Sequence, residues 1–114
     1  MKRHCLTLDL KNDPELIRQY EAYHKEVWPE IIKSIAGSGI TNMQIYRFET
    51  RLFMIMEVTD DFNFESKQQA DLNNTKVQEW EELMWKYQQP LPGSAEGEKW
   101  RLMDKIFELK EFLI

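Results

Sequence analysis

The order in which hydrophobic periods follow one another is the feature that most constrains how this chain can fold. Strand patterns, alternating or continuously apolar, occupy residues 3–10, 40–48, 52–58 and 103–109, and helical spacing occupies 14–28 and 74–88. The resulting order β-α-β-β-α-β is that of the ferredoxin-like split βαβ fold, so an α+β fold is predicted. With 114 residues and no internal boundary, we expect a single domain over residues 1–114.

The first predicted helix has the clearest boundaries. Asp13 can cap it, and Pro14 fits its first position, where a backbone N–H is not needed. Pro29 cannot continue the hydrogen-bond ladder, so a kink or a restart is expected near Trp28. The apolar stripe of this helix consists of Leu16, Ile17, Tyr20, Tyr23, His24, Val27 and Trp28.

Weaker patterns fill the rest of the chain. Residues 30–36 predict a second helical segment that stops at Gly37, and residues 61–73 predict a short helix with loose ends. Residues 90–97 alone have the composition of a loop. A connector, or a lid over a site, is expected there.

The predicted sheet needs a cover on its second face. A ferredoxin-like sheet carries helices on one face only, yet the predicted strands are apolar on both sides. A second copy packed sheet to sheet would bury this surface. We therefore expect a symmetric homodimer.

The composition excludes several classes of partner. A net charge of -5 argues against a nucleic-acid partner, whose phosphates need a basic patch. The apolar runs are far shorter than the roughly 20 residues that cross a bilayer, so neither a membrane span nor a signal peptide is expected. The single cysteine, Cys5, predicts no disulfide framework and no cysteine-based zinc site. We expect a cytoplasmic protein.

His24 is the leading candidate for a catalytic group. It lies on the apolar stripe one turn after Tyr20, so the two side chains share a helix face and can reach one ligand. Histidine gains and loses a proton near neutral pH, which suits general acid–base catalysis. The alternative is a structural histidine hydrogen-bonded to a backbone carbonyl, and periodicity alone leaves both interpretations open.

The other candidate residues have weaker support. The second histidine, His4, is expected to pack on the inner face of the first strand, and two histidines this far apart do not predict a metal site. Trp80 lies on the stripe of the second strong helix, where it either fills the core or stacks on a ligand. The carboxylate pair Glu81-Glu82 is expected to be solvated surface.

Three segments, in order along nearly the whole chain, resemble the L-rhamnose mutarotase family. Residues 20–30 (YEAYHKEVWPE) resemble its Y-x-x-x-H-x-x-x-W-P-E signature. Residues 42–46 (NMQIY) resemble its N-Y-x-I-Y strand, and residues 77–80 (VQEW) resemble the segment before its tryptophan pair. The resemblance implies a ferredoxin-like homodimer, a dimeric α/β barrel, that interconverts the anomers of a 6-deoxy-hexose without metal or cofactor.

The same resemblance implies roles for individual residues. By position, His24 becomes the catalytic acid/base, and the residues expected to bind the monosaccharide are Tyr20, Trp80, Tyr46 and Trp28. Met43 and Glu81 depart from the pattern, because the family has a pocket tyrosine and a second tryptophan at these positions. Both departures bear on the choice of sugar, for which L-rhamnose is the first expectation and L-fucose the second.

Two other classes share part of this pattern. Dimeric α+β barrel monooxygenases and haem-degrading proteins also combine one helical histidine with an aromatic pocket, and a binding module without catalysis would use His24 only structurally. The segment Trp28-Pro29-Glu30 has no role that we can assign in a monooxygenase. The sequence therefore favours an isomerase that acts on a sugar.

Overall fold

In the computed structural model, which describes residues 2–113, one antiparallel sheet packs against four α-helices. The strands are β1 (Lys2–Leu10), β2 (Ile40–Phe48), β3 (Arg51–Val58), β4 (Gln88–Gln89) and β5 (Arg101–Leu102). The helices are α1 (Pro14–Tyr23), α2 (Pro29–Gly37), α3 (Phe64–Leu72) and α4 (Thr75–Met84). None of the helices in this part of the chain is long and apolar enough to cross a membrane.

The sheet order β2-β3-β1-β4 places β3, the most apolar strand, at the centre beside β1, as predicted for residues 52–58. Alternate residues of β1 and β3 are buried, because a strand turns successive side chains to opposite faces. The buried set is Leu6, Leu8, Leu10, Leu52, Met54, Met56 and Val58. The predicted α+β ferredoxin-like class is confirmed, and the sheet of a single chain stays open rather than closing into a barrel.

The first helix begins as the sequence predicts and ends earlier. Asp13 Oδ1 accepts hydrogen bonds from the backbone N–H groups of Glu15 and Leu16, at 2.9 and 3.3 Å, and so caps α1. The prediction of helix through residue 28 is wrong from residue 24 onward: the backbone N–H groups of residues 24–26 bond to carbonyls three residues back, and residues 27 and 28 are not helical. The predicted restart is confirmed, since α2 begins at Pro29.

The turn from α2 into β2 requires a glycine. Gly39 has φ +96°, and a Cβ at this position would lie 2.9 Å from the hydroxyl oxygen of Thr59. The carbonyl of Gly39 also accepts a hydrogen bond from the backbone N–H of Thr59 at 2.9 Å. The turn is thereby joined to the end of β3, beside the cavity described below.

The C-terminal third differs most from the sequence prediction. The helix predicted to about residue 88 ends at Met84, and Gln88–Gln89 instead form a strand that pairs with the end of β1. The predicted strand over residues 103–109 is wrong: pairing stops at Leu102, and residues 103–108 have no regular structure before a 3₁₀ turn at Leu109–Phe112. Ile106, at 95% exposure, shows that this alternating segment has no buried face.

Candidate active site

A cavity of about 690 Å³ lies between the helices and the inner face of the sheet. Its size is within the range typical of small-molecule sites. The wall is mostly apolar, and its hydrogen-bonding or aromatic groups nearest to α1 are Tyr20, His24, Trp80, Glu81, Gln88 and Trp100. The described residues bring no three His, Cys, Asp or Glu side chains together as a metal site.

His24 follows directly after the last residue of α1, and its ring orientation is fixed by the backbone. The Nδ1 atom lies 2.8 Å from the carbonyl oxygen of Tyr20. A carbonyl can only accept, so Nδ1 carries the hydrogen of the neutral ring and Nε2 keeps its lone pair. No side chain of residues 2–113 hydrogen bonds to Nε2.

The protonation state of His24 suits a base. Burial lowers the pKa of His24 below its ordinary value of 6.5, because an apolar wall disfavours the imidazolium, and the bond to the Tyr20 carbonyl opposes this only in part. The ring is therefore neutral at pH 7. The two interpretations of His24 both describe part of the geometry, since it bonds to a carbonyl and also lines the cavity.

Tyr20 lies beside His24, with ring centroids 4.4 Å apart. Its hydroxyl oxygen accepts a hydrogen bond from Nε2 of Gln88 at 3.2 Å. Burial, which is the largest cause, and the charge of Glu81 raise the pKa of Tyr20 to about 12, although the bond from Gln88 lowers it. The phenol thus stays protonated and keeps a hydrogen to donate.

Trp80 is both a core residue and a cavity residue, the two alternatives that the sequence left open. It is 7% exposed and belongs to the core, and it also lines the cavity. Its ring meets His24 edge to face at 5.9 Å and Trp28 at 5.1 Å. These contacts hold a flat apolar surface against the imidazole.

The remaining residues that the resemblance indicated lie elsewhere. Tyr46 is 55% exposed on β2 and does not line the cavity. Trp28 packs behind Trp80 and lines a separate depression with Arg18 and Tyr23. The structure therefore brings together His24, Tyr20 and Trp80, and leaves Tyr46 and Trp28 outside this group.

Glu81 keeps 43% of its side chain exposed, as expected for a surface residue, but it is also ion-paired and reaches the cavity. Its carboxylate accepts a hydrogen bond from Lys99 Nζ at 2.6 Å, and the residue lines the cavity. The same Nζ bonds to the Glu81 carbonyl at 2.9 Å and lies 4.6 Å from the ring centroid of Trp85. Lys99 lies two residues after the loop over residues 90–97, and its bonds to Glu81 thus connect this end of the loop to α4.

Gln88 is the cavity residue that the sequence did not indicate. The predicted helix extended through it, and a glutamine at a helix end gives no sign of burial. The structure places it on β4, 3% exposed and in contact with a residue 68 positions away. Only the packing of the first and last thirds of the chain creates this pair.

The fold and the site together are those of a protein with a small-molecule cavity, whose mostly apolar wall carries an imidazole and a phenol. The sequence profile of L-rhamnose mutarotase matches residues 3–109. An L-fucose mutarotase from Xanthomonas campestris is 46% identical over 113 residues, which cover 97% of this chain and 90% of that protein. The chain belongs to the L-rhamnose mutarotase family, and it is an isomerase that acts on sugar anomers.

Two further comparisons agree with this assignment. An L-rhamnose mutarotase from Oceanobacillus iheyensis is 26% identical over 80 residues, covering 68% of this chain and 69% of that one. The crystal structure of an L-rhamnose mutarotase from Formosa agariphila superimposes with a TM-score of 0.70 at 19% identity, over 95% of this chain and 98% of that chain. At that identity the structure supports the fold alone.

Proposed function

We propose that this isomerase interconverts the α and β anomers of a 6-deoxy-L-hexose, with His24 as the acid/base group and L-fucose as the first-choice substrate. One observation carries the mechanistic part of the proposal. His24 lines the cavity, and its Nε2 keeps a lone pair that no neighbouring side chain uses. A neutral imidazole with one free nitrogen is a proton acceptor at pH 7.

One group that accepts and returns a single proton is sufficient for mutarotation. Opening the pyranose moves a proton from the anomeric hydroxyl oxygen O1 to the ring oxygen O5, while the C1–O5 bond breaks and C1–O1 becomes a carbonyl. Both oxygens are attached to C1 in the closed ring, so His24 Nε2 can remove the proton from O1 and return it to O5, directly or through a water. Rotation about C1–C2 and the reverse steps give the other anomer.

Tyr20 and Trp80 have supporting roles in the proposal. The Tyr20 hydroxyl, with its pKa near 12, donates a hydrogen bond to a sugar oxygen and does not itself ionise. Trp80 offers an apolar face to the C–H side of the ring and to the C6 methyl group. Both anomers must bind, so these contacts are placed on the ring and methyl rather than on C1.

The choice of L-fucose over L-rhamnose comes from the sequence comparison. The relative named for L-fucose is 46% identical over nearly the whole chain, and the one named for L-rhamnose is 26% identical over two thirds of it. The family's pocket tyrosine and second tryptophan are replaced here by Met43 and Glu81, which both line the cavity. These two replacements support a sugar other than L-rhamnose.

Saturation-transfer NMR tests reaction and sugar together. The exchange rate between α and β resonances is measured for L-fucose, L-rhamnose and D-glucose with and without protein. We expect the largest acceleration with L-fucose and the smallest with D-glucose, which carries a hydroxymethyl group in place of the methyl group and belongs to the D series. Faster exchange with L-rhamnose than with L-fucose would contradict the choice of sugar, and no acceleration with any of them would contradict the function.

We also propose a homodimer that buries the sheet face turned away from the helices. On this face Phe53 and Ile55 are half-buried, and Tyr46 and Phe48 are 55% and 76% exposed. Contiguous apolar surface of this kind is typical of an interface, and a two-fold axis would place the same strands against each other.

Sedimentation velocity of matched variants tests the dimer. Phe48→Asp places a charge on the proposed interface and should shift the protein to monomer. Leu72→Asp changes an equally apolar and 58% exposed residue at the end of α3, and should leave the mass unchanged. A monomeric unmodified protein, or a dimer that resists Phe48→Asp, would contradict this assembly.

A cytoplasmic location completes the proposal. The single cysteine, Cys5, is a free and half-buried thiol on β1, which suits a reducing compartment. Fractionation of cells that express the protein checks this, and recovery outside the cytoplasm would contradict it.

A further inference from the structure

Gln88 is a buried polar residue on β4, a two-residue strand that pairs with β1. Its backbone pairs with Leu10 at the end of β1, and its side chain lines the cavity next to Tyr20. Only 3% of the residue is exposed. The position of this amide is therefore set by the sheet rather than by a loop.

One end of the Gln88 amide is bonded and the other is not. Nε2 donates to the Tyr20 hydroxyl at 3.2 Å, whereas Oε1 is buried and has no hydrogen-bond partner within residues 2–113. Turning the amide over would only exchange the roles, because Oε1 would then accept from Tyr20 and Nε2 would be left unpaired. A buried polar atom without a partner is costly, so in a native protein it calls for an explanation such as a functional role or a bound molecule.

We propose that the free end of the Gln88 amide binds a hydroxyl of the sugar ring other than the anomeric one, and that this contact selects the substrate. The inference rests on the proposed function and adds a specificity-determining residue to it. An amide side chain is neither an effective acid nor an effective base near pH 7, so proton transfer at the anomeric hydroxyl is assigned to His24 and the amide binds elsewhere on the ring. Tyr20 connects the two groups, since it contacts the His24 ring and bonds to Gln88.

This arrangement predicts strong discrimination against sugars that lack the bound hydroxyl. A site built to hydrogen bond a substrate group rejects an analogue without it, because the buried protein partner then stays unsatisfied. An apolar wall gives much weaker discrimination for a change of the same size. Gln88 would thus contribute more to the choice of sugar than the methionines that line the same cavity.

A cycle of one protein change and one substrate change tests the contact. The kcat/KM of the wild-type protein and of Gln88→Met is measured by saturation-transfer NMR for L-fucose and for its 2-, 3- and 4-deoxy analogues. With the wild-type protein, kcat/KM should be lower for one analogue than for the other two, by about tenfold or more. In Gln88→Met, kcat/KM for L-fucose should fall by a similar factor relative to the wild type. For that one analogue, kcat/KM should be the same in the variant and in the wild type.

A purely structural role of Gln88 gives a different result. Loss of packing would lower kcat/KM for every sugar by the same factor and leave the ranking of the analogues unchanged, which would overturn the inference while the proposed function stands. The matched control Gln89→Met changes the exposed neighbour on β4 and should alter neither rate nor ranking.

A binding measurement does not depend on the stability of the Gln88 variant. In the His24→Ala protein, saturation with L-fucose should shift both the side-chain carbonyl and NH₂ resonances of Gln88 and the indole N–H of Trp80. A shift of the Trp80 signal without any shift at Gln88 would overturn the inference. Failure of the unmodified protein to accelerate exchange of any sugar would instead contradict the proposed function, and this inference with it.

Discussion

The two ends of the cavity use their polar groups in opposite ways. At the histidine end (Tyr20, His24, Trp80 and Gln88), uncharged groups keep hydrogen-bonding capacity that the protein does not use. At the lysine end (Phe62, Phe64, Lys67 and Asp71), Lys67 Nζ and Asp71 Oδ1 bond to each other at 2.6 Å along one face of α3. The lysine end thus carries a charged pair, and Glu81, the charged cavity residue near Tyr20, is likewise paired, with Lys99.

The sheet keeps these two ends apart. Gln88 pairs with Leu10 at one end of β1, and Phe62 and Phe64 pack on His4 near the other end. Leu10 lies six residue steps along the strand from His4, which is about 20 Å. Unused hydrogen-bonding capacity, rather than charge, therefore marks where a neutral sugar would bind, and the following changes test this distinction.

Removal of the His24 imidazole should have the largest effect. We expect His24→Ala to lower kcat for L-fucose by about 10²–10⁴-fold, the usual contribution of general acid–base catalysis, with an unchanged circular dichroism spectrum. The matched control is His4→Ala, which removes the other histidine near the lysine end. Equal losses in the two variants would remove the distinction between the ends.

The pH dependence of the unmodified protein should follow the neutral form of His24. Because burial lowers the pKa of His24, kcat/KM should reach half its maximum below pH 6.5 and approach a tenfold loss per pH unit at still lower pH. Exchange rates are measured from pH 5 to 8 and corrected for the spontaneous reaction at each pH. Half-maximal kcat/KM above pH 6.5 would show that the base is not this buried ring.

The aromatic wall should affect binding more than turnover. Trp80→Phe leaves a smaller flat surface beside the sugar, so we expect KM to rise by roughly threefold to tenfold with little change in kcat. Trp85→Phe is the control, because Trp85 is half-buried against Lys99 and does not line the cavity. An unchanged KM in Trp80→Phe would restrict Trp80 to a role in the core.

The lysine end should have the smallest kinetic effect. Lys67→Met breaks a largely buried ion pair and should lower the free energy of unfolding by about 1–2 kcal/mol without changing kcat or KM. Thermal unfolding and exchange rates are compared with those of Lys105→Met, which breaks an exposed pair with Glu108. A raised KM in Lys67→Met would show that the sugar also contacts this end.

Local rules in the sequence account for much of the fold. The Asp13 cap and the restart at Pro29 depend on neighbouring residues only, and β2 occupies the predicted residues 40–48. The pairing of Tyr20 with His24 is likewise predictable from the sequence, because residues four apart on a helix lie on the same face. Each of these features is encoded within a few positions of the chain.

Features that depend on contacts between distant parts of the chain cannot be predicted from the local sequence. Alternation over residues 103–109 is compatible with a strand, but a strand also needs a neighbour, and pairing with β1 ends at Leu102. Tyr46 carries a family motif, yet its place on β2 turns it away from the cavity. Gln88 enters the site only through a contact with Tyr20, and local pattern carries no information on such a pair.

The bond between His24 and the Tyr20 carbonyl has a consequence for the divergence of the family. The imidazole is oriented by main-chain atoms one helical turn away, so its direction does not depend on which side chains form the rest of the wall. Substitutions such as those at Met43 and Glu81 can accumulate on other elements without disturbing the proposed proton-transfer group. New sugar preferences can thus evolve in this scaffold while the reaction itself is inherited unchanged.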